Sequence, residues 1–392
     1  MLEFFLVILF CFFGVMMGVI TGLLPGLHVN NVALVLLSAS AVIITICSPL
    51  FSYGISEQFI FILISVFIIS CSLSHTFHDC IPSTFLGAPD PDTALSVLPA
   101  HSLLLEGKGY EAVALSALGS YGAIVFCFLL ILPIRFIIGQ PIMFYQVLRE
   151  IMLFVLIAIS ILMIGTEKGK IDDFGKKGIK PAIVGMFFAT FVFALSGIFG
   201  LVIFEVPVSS PIGFSSPILF PALSGLFGTP TLLTSLMTNP TIPKQKIEEP
   251  KLDKKTKKSS ILSVITGCIG GILVSIIPGI TSATGTILAM NIRGESDKKQ
   301  TIITLSAVNT ACAFFVVVVM YIILRSRSGA TLAVMDLIAI DEWTNIFMPT
   351  TLSYLLIALL FGGTLSYFCT LKMGKLFARK FANIPYALVV KL

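Results

Sequence analysis

The stretch GVMMGVITGLLPGLHVNNVAL (residues 14–34) decides the fold, because a long apolar run is broken at Pro25-Gly26 and continues after a few polar residues. Proline removes a backbone donor and glycine tolerates unusual dihedral angles, so this pair ends one helix and lets another begin. The stretch GCIGGILVSIIPGITSATGTI (residues 267–287) has the same design. At an offset of 253, four positions coincide: Gly14 with Gly267, Gly18 with Gly271, Pro25 with Pro278, and Gly26 with Gly279.

The composition places both stretches in a membrane. Of 392 residues, 56% are hydrophobic and only 11% are charged, and the mean hydropathy is +1.03. A soluble domain needs more polar surface than this. Apolar runs of about 20 residues match the thickness of a bilayer when they are helical, and helices satisfy their own backbone groups there. The sequence therefore predicts an all-α polytopic membrane protein with about eleven helical pieces.

Basic loops predict the orientation, because loops rich in lysine and arginine stay in the cytoplasm. Five lysines lie in 165–180 and seven in 239–260, whereas no lysine or arginine precedes Lys108. We expect the chain to lie in the cytoplasmic membrane. Counting segments from these loops then places the N-terminus outside the cell and the C-terminus in the cytoplasm. Arg325 and Arg327 then fall on the outer side, which this arrangement does not explain.

The domain prediction follows from the repeat and the charges. Residues 1–238 form an N-terminal membrane repeat with the hairpin 2–47 and a polar re-entrant segment, 74–108. Residues 239–260 form a basic cytoplasmic linker, and 261–392 form a C-terminal membrane repeat with the hairpin 261–292. The first hairpin opens outward and the second inward, which is the inverted-repeat logic of secondary transporters. Glycine-rich packing faces with a proline kink are the alternative interpretation.

The broken helices predict the binding site. A new half-helix offers free N–H groups and a positive dipole end to an anion, while the preceding half-helix offers carbonyl groups to a cation. Few buried cations are expected, so the backbone and a co-transported cation must stabilise the anion. The predicted substrate-binding residues are Gly22, Pro25, Gly26, His28, Asn30, Asn31, Pro278, Gly279, Thr281, Ser282 and Thr284.

The polar segment supplies candidates for the coupling ion. His75, His78 and Asp79 have helical spacing and could relay protons, although an interfacial polar turn is the simpler interpretation. Asp90 and Asp92 could hold an ion or cap a helix that starts near Thr93. A weak echo at an offset of 234 places Ser72, His75 and Thr76 over Ser306, Asn309 and Thr310. The candidates for coupling to Na⁺ or H⁺ are His75, His78, Asp79, Asp90, Asp92 and Asn309; a metal site and a further cofactor are not expected.

Three functions remain open from these residues. Transport of a small organic anion is favoured, and translocation of a polyprenyl-phosphate lipid carrier is the alternative, because helix N-termini suit phosphate equally well. An intramembrane enzyme is less favoured, since the sequence has no HExxH, GxGD or GxSxG element. Nucleic-acid binding is not indicated by a positive charge that is confined to a few loops.

Three elements resemble the TctA family, the large membrane subunit of tripartite tricarboxylate transporters. They are GLLPGL (residues 22–27), the second break at Pro278-Gly279, and IPSTFLGAPDPDTALSVLPAHSLLLEGKGYEAVALSALGS (residues 81–120). The resemblance implies a cation-coupled carrier of small carboxylates. It further implies, as possible partners, an extracytoplasmic binding protein and a small membrane subunit. A homo-oligomer is also possible.

Overall fold

The structure is a computed structural model. It describes residues 1–24, 27–86, 95, 97–167, 179–205, 226, 233, 243–250, 254–294 and 297–381. Within these residues the chain forms helices and no strand. The helices are α1 (Leu2–Leu23), α2 (Val29–Ser38), α3 (Ser40–Cys47), the 3₁₀ helix η1 (Ser48–Tyr53), α4 (Glu57–His78), α5 (Cys80–Phe85), α6 (Val97–Leu105), α7 (Gly109–Ile138), α8 (Phe144–Glu150), α9 (Met152–Thr166), α10 (Ile179–Glu205), α11 (Lys254–Ile276), α12 (Ser282–Arg293), α13 (Lys298–Ile323), α14 (Gly329–Leu337) and α15 (Thr350–Phe381).

The long helices are suited to crossing a bilayer. Seven helical stretches in the described part of the chain are long and apolar enough to span it, and the number rises to nine if two bent helix pairs each count as one span. One bent pair is α2 with α3 and η1, and the other is α8 with α9. The all-α polytopic membrane fold expected from the composition is therefore confirmed.

Contacts divide the chain into two compact units, residues 1–145 with 223–392, and residues 146–222. In the first unit, α1 packs on α4, α11 on α13, and α7 and α15 pack against helices of both repeats. In the second unit α9 and α10 contact each other. Most large apolar side chains of α10 from Ile183 to Val202 are exposed, whereas Met186 is half-buried. Exposure of this extent suits a helix in contact with lipid.

The helix boundaries recur at the offset seen in the sequence. Helix α1 ends at Leu23 and α11 at Ile276, and α2 begins at Val29 and α12 at Ser282, so both pairs of boundaries differ by the same offset of 253. Each second arm begins after a capping residue, His28 or Thr281. In the second copy the turn contains Gly279 with a φ of +83°, a conformation that costs glycine little. Pro25 and Gly26 lie outside the described residues.

Glycines let each first arm approach the helix that follows its hairpin. A methyl group on Gly14 or Gly18 would lie 2.5 Å from a carbonyl oxygen of α4, that of Phe67 or Cys71. A methyl group on Gly267 or Gly271 would lie 2.8 or 2.6 Å from a carbonyl oxygen of α13, that of Thr304 or Val308. Phe67 thus corresponds to Thr304 and Cys71 to Val308, an offset of 237 between α4 and α13. The weak echo at 234 is wrong by three residues, about one helical turn.

The two hairpins open toward opposite ends of α15. Near the start of α15, Tyr354 donates a hydrogen bond to Glu3, at the start of α1. Near its other end, Lys375 pairs with Glu249, which also accepts a hydrogen bond from Tyr110 at the start of α7. The second hairpin opens at this second end of α15. Lys299 of α13 pairs there with Glu111 of α7, and Arg293, the last residue of α12, bonds to α11.

The predicted linker is partly folded. Residues 243–250, which we call the strap, lie against the turn between α6 and α7: the buried Gln245 accepts a hydrogen bond from the Gly109 amide at 2.8 Å and donates to the Leu104 carbonyl at 3.1 Å. Helix α11 begins at Lys254, so the polar residues that precede the apolar run are already helical. The strap therefore contacts the first repeat, and α11 extends the second repeat into the stretch 239–260.

Candidate functional site

A cavity of about 290 Å³ lies where the two hairpins meet, within the first compact unit. Its wall includes the starts of α2 and α12, the end of α4 and the middle of α13. The residues that line it are His28, Val29, Asn30, Ser72, His75, Thr76, Asp79, Val274, Ile280, Thr281, Ser282, Asn309, Cys312, Ala313, Val316, Arg327 and Ser328.

Three helix N-termini converge on this cavity. Their capping residues, His28 for α2, Thr281 for α12 and Ser328 for α14, all line it. Each cap accepts a hydrogen bond from an amide in the first turn, at 3.1, 3.4 and 3.2 Å respectively. The first turn of a helix still presents amides without intrahelical partners and carries the positive end of the dipole. The cavity is therefore built to attract negative charge.

The third N-terminus is held in place by the first hairpin. The Asn30 side chain accepts a hydrogen bond from the Ala330 amide of α14 at 3.0 Å. Gly329 allows this approach, because a methyl group there would lie 2.8 Å from the Asn30 carboxamide carbon. Asn30 of α2 thus fixes the position of α14 beside the cavity.

Arg327 adds a full positive charge to the wall. Its guanidinium donates hydrogen bonds to the Val274 carbonyl at 3.0 Å and to the Ile277 carbonyl. Both carbonyls belong to the last turn of α11 and the residue after it, where no intrahelical donor remains. Its Nε is buried and has no hydrogen-bond partner among the described residues. The sequence led us to expect few cations near the site, and this half-buried arginine is one that it did not assign there.

A carboxylate lies in the same wall. Asp79, at the end of α4, is 4% exposed and accepts a hydrogen bond at 3.1 Å from the side-chain amide of Asn309, in α13. One turn before it, His75 lies 3.1 Å from the Thr21 hydroxyl through Nδ1, and its ring centroid is 5.3 Å from that of His28. An ionisable residue buried among the helices of a membrane protein commonly serves an ion or proton pathway.

The repeat extends into the cavity at the corrected offset of 237. Four lining positions of α4 each correspond to a lining position of α13: Ser72 to Asn309, His75 to Cys312, Thr76 to Ala313, and Asp79 to Val316. The two helices therefore contribute equivalent faces with different side chains. Only the first copy contributes histidine and carboxylate to these four pairs.

The structure brings together seven of the predicted site residues and separates the others. Those that line the cavity are His28, Asn30, His75, Asp79, Thr281, Ser282 and Asn309. Six others lie elsewhere. Gly22 packs against α4, Asn31 lies inside the first turn of α2, Pro278 and Gly279 form the turn before α12, Thr284 lies beyond its cap, and His78 is on another face of α4. Pro25, Gly26, Asp90 and Asp92 lie outside the described residues.

His78 does not share the environment of His75 and Asp79. It is fully buried on another face of α4, where its Nδ1 lies 2.7 Å from the Ser74 carbonyl oxygen and its Nε2 lies 3.3 Å from the Thr370 hydroxyl of α15. The predicted face of three residues therefore contains only His75 and Asp79. Consecutive residues of a helix point to different sides, so His78 does not share the face of Asp79.

Sequence reasoning missed five lining residues of functional character: Ser72, Thr76, Cys312, Arg327 and Ser328. Arg327 and Ser328 are missed because residues 325–345 contain only a short apolar run, a pattern that predicts an outer loop. A signal for α14 is present, since Ser328 and Thr331 form a reciprocal capping box before that run. Ser72 and Thr76 are missed because the offset of 234 aligns them with residues of α13 that do not line the large cavity.

Comparison with known proteins agrees with this architecture. The family model described as "Tripartite tricarboxylate transporter TctA family" matches residues 8–392. The chain belongs to the TctA family. As a member, it is a multi-pass membrane protein of a family of tricarboxylate transporters. A curated relative, Uncharacterized protein MJ1079 of Methanocaldococcus jannaschii, is 30% identical over 377 residues, which are 95% of this chain and 82% of the relative. No solved structure matches the TctA chain.

Proposed function

We propose that this TctA member carries a small organic anion with more than one carboxylate across the cytoplasmic membrane, driven by Na⁺ or H⁺. The observation that carries the proposal is the convergence of three helix N-termini and Arg327 on one cavity. Backbone dipoles and one guanidinium stabilise carboxylates without requiring a cluster of buried cations. Asp79 supplies the negative charge that a coupling cation or proton requires.

The repeat supports alternating access. The hairpins open toward opposite ends of α15 and their second arms begin at the same cavity, so rocking one repeat against the other would expose the cavity first to one side and then to the other. The basic residues Lys298, Lys299 and Lys375 lie at the end of α15 that is nearest the strap. We assign this end to the cytoplasm and the end with Glu3 to the outside, by the positive-inside rule.

Partner subunits follow from the tripartite character of the family. We propose that an extracytoplasmic binding protein delivers the anion at the face that carries Glu3. The exposed apolar helices provide lateral surface for a small membrane subunit or for a second copy of the chain.

The test of the proposed function is uptake into proteoliposomes that contain the full chain, with its partner subunits where they are required. Radiolabelled citrate and succinate are the probes. Ser282→Leu places a bulky apolar group at the start of α12, where the wild-type side chain is buried and lines the cavity. We expect this change to abolish uptake while insertion and folding persist.

Thr284→Leu is the matched control, because Thr284 lies in the same helical turn but does not line the cavity. Uptake by this variant should stay near that of the wild type. Equal activity of the two variants would refute the assignment of the cavity. Thermal stabilisation by a polyprenyl phosphate, with none by any carboxylate, would instead favour the lipid-carrier function.

A further inference from the structure

A second, much smaller pocket adjoins the cavity. Its volume is about 10 Å³, room for a single particle the size of a water molecule. It shares Thr76, Asp79 and Asn309 with the large cavity, so these three side chains form a common wall. A particle in the small pocket would therefore contact the same carboxylate that faces the transported anion.

Oxygen atoms dominate the polar part of this pocket. Six of its lining residues carry side-chain oxygens, and they come from α4, α5, α7 and α13: Thr76, Asp79, Thr84, Ser116, Ser306 and Asn309. Four of them are nearly inaccessible, with Thr84 at 1%, Ser116 and Asp79 at 4% and Asn309 at 6% exposure. The Ser116 and Ser306 hydroxyls lie 2.7 Å apart, which brings α7 and α13 together at this point.

The orientation of Asn309 favours a cation. Its side-chain nitrogen donates to Asp79, so its side-chain oxygen remains as an acceptor on the other branch of the amide. Hydroxyl oxygens, an amide oxygen and one carboxylate are the ligands of a hard cation, not of a soft transition metal. A proton would need only the carboxylate, and the five neutral oxygens around it would have no role in binding it.

The charge of the pocket selects a monovalent ion. Among the residues that the structure describes, Asp79 is the only acidic one in its lining, and one buried carboxylate balances one positive charge. A divalent cation would remain half neutralised in a setting where uncompensated charge is costly. The size of the pocket excludes a hydrated ion.

We propose that this pocket binds one dehydrated Na⁺ and is the coupling-ion site of the carrier, an inference that rests on the proposed function for its role in transport. Na⁺ neutralises Asp79 and removes its repulsion of a carboxylate in the large cavity. Binding of the two ligands is then cooperative, and by linkage the anion tightens Na⁺ binding by the same factor. A factor of about 5- to 150-fold is typical of such coupling.

The experiment measures Na⁺ binding without transport. The purified full chain is unfolded thermally in detergent over a series of NaCl concentrations, with choline chloride holding ionic strength constant and KCl as a parallel series. A specific site raises the unfolding temperature with Na⁺ and saturates, because a ligand that binds only the folded state stabilises it. We expect no comparable rise with K⁺.

Ser116→Ala and Ser120→Ala form a matched pair. Both serines are buried in α7, one turn apart, and both lie next to Ser306, but only Ser116 lines the small pocket. We expect Ser116→Ala to weaken the apparent Na⁺ affinity about tenfold, Ser120→Ala to leave it unchanged, and Asp79→Asn to abolish it.

Three outcomes would overturn the inference: equal Na⁺ affinities of the two serine variants, equal stabilisation by Na⁺ and K⁺, or stabilisation that follows acidification and not Na⁺. Saturable Na⁺ binding that is lost in Asp79→Asn, together with failure of citrate and succinate uptake, would leave the ion site standing and refute the proposed function alone.

Discussion

Replacing Arg327 with glutamine removes the one arginine that lines the large cavity. A sphere of 290 Å³ has a radius of about 4 Å, so an anion at its centre would lie about 6 Å from a guanidinium in the wall; at an effective dielectric constant of about 20 their attraction is about 3 kcal/mol. Because Arg327 is only half-buried, solvent screening reduces this to about 1–2 kcal/mol. The expected result is an increase in KM for the anion of about 5- to 30-fold.

Arg325→Gln is the control for this prediction. It makes the same change in net charge two residues away, but Arg325 is exposed and does not line the cavity. Initial rates of citrate uptake into proteoliposomes give KM for both variants and for Arg327→Lys, which retains the charge and should show a smaller increase. Equal changes in KM for Arg325→Gln and Arg327→Gln would show that only the overall field matters, and the reasoning would be refuted.

Two further predictions concern the fold. Gly18→Val should lower stability by about 1–3 kcal/mol, because its side chain would overlap the backbone of α4; Gly197→Val, with nothing within 4 Å, is the control, and comparable losses of thermal stability in detergent would contradict the packing argument. Lys375 holds the pKa of Glu249 below the usual glutamate value. Their pairing therefore stabilises the folded strap at any pH above the usual glutamate pKa, and this stabilisation is lost as the pH falls through the lowered pKa. Acid should therefore increase proteolysis of the strap in the wild type, whereas Glu249→Gln should raise it at neutral pH and remove its dependence on acid. An unchanged pH profile of cleavage in this variant would count against the pairing.

The sequence predicted the hairpins because their signals are local. Proline and glycine act on the backbone where they stand, so the ends of α1 and α11 and the starts of α2 and α12 follow from the breaks and the polar residues beside them. His28, Asn30, Thr281 and Ser282 could be placed at the cavity for the same reason. Asp79 was found because it follows His75 at the i, i+4 spacing of one helix face.

What the sequence did not predict depends on packing between distant segments. The role of Arg327 requires the end of α11 to lie next to the start of α14, and that contact joins segments well separated along the chain. The small pocket requires Ser116 of α7 to meet Ser306 of α13. The register of α4 against α13 depends on which carbonyls the glycines of α1 and α11 approach, and a comparison of single residue types is too coarse to find it.

The offset between the two copies falls from 253 at the broken hairpins to 237 at α4 and α13, so the first copy has the longer connection between its hairpin and the helix that follows. Helix α3 and the 3₁₀ helix η1 occupy this extra length, and neither has a buried residue. They are the part of the first copy that has no counterpart in the second. A carrier whose halves exchange roles during its cycle would have two equally stable end states if the halves were identical. This extra segment, on one side only, offers a means of making the resting protein face one side of the membrane without touching the residues that bind its cargo.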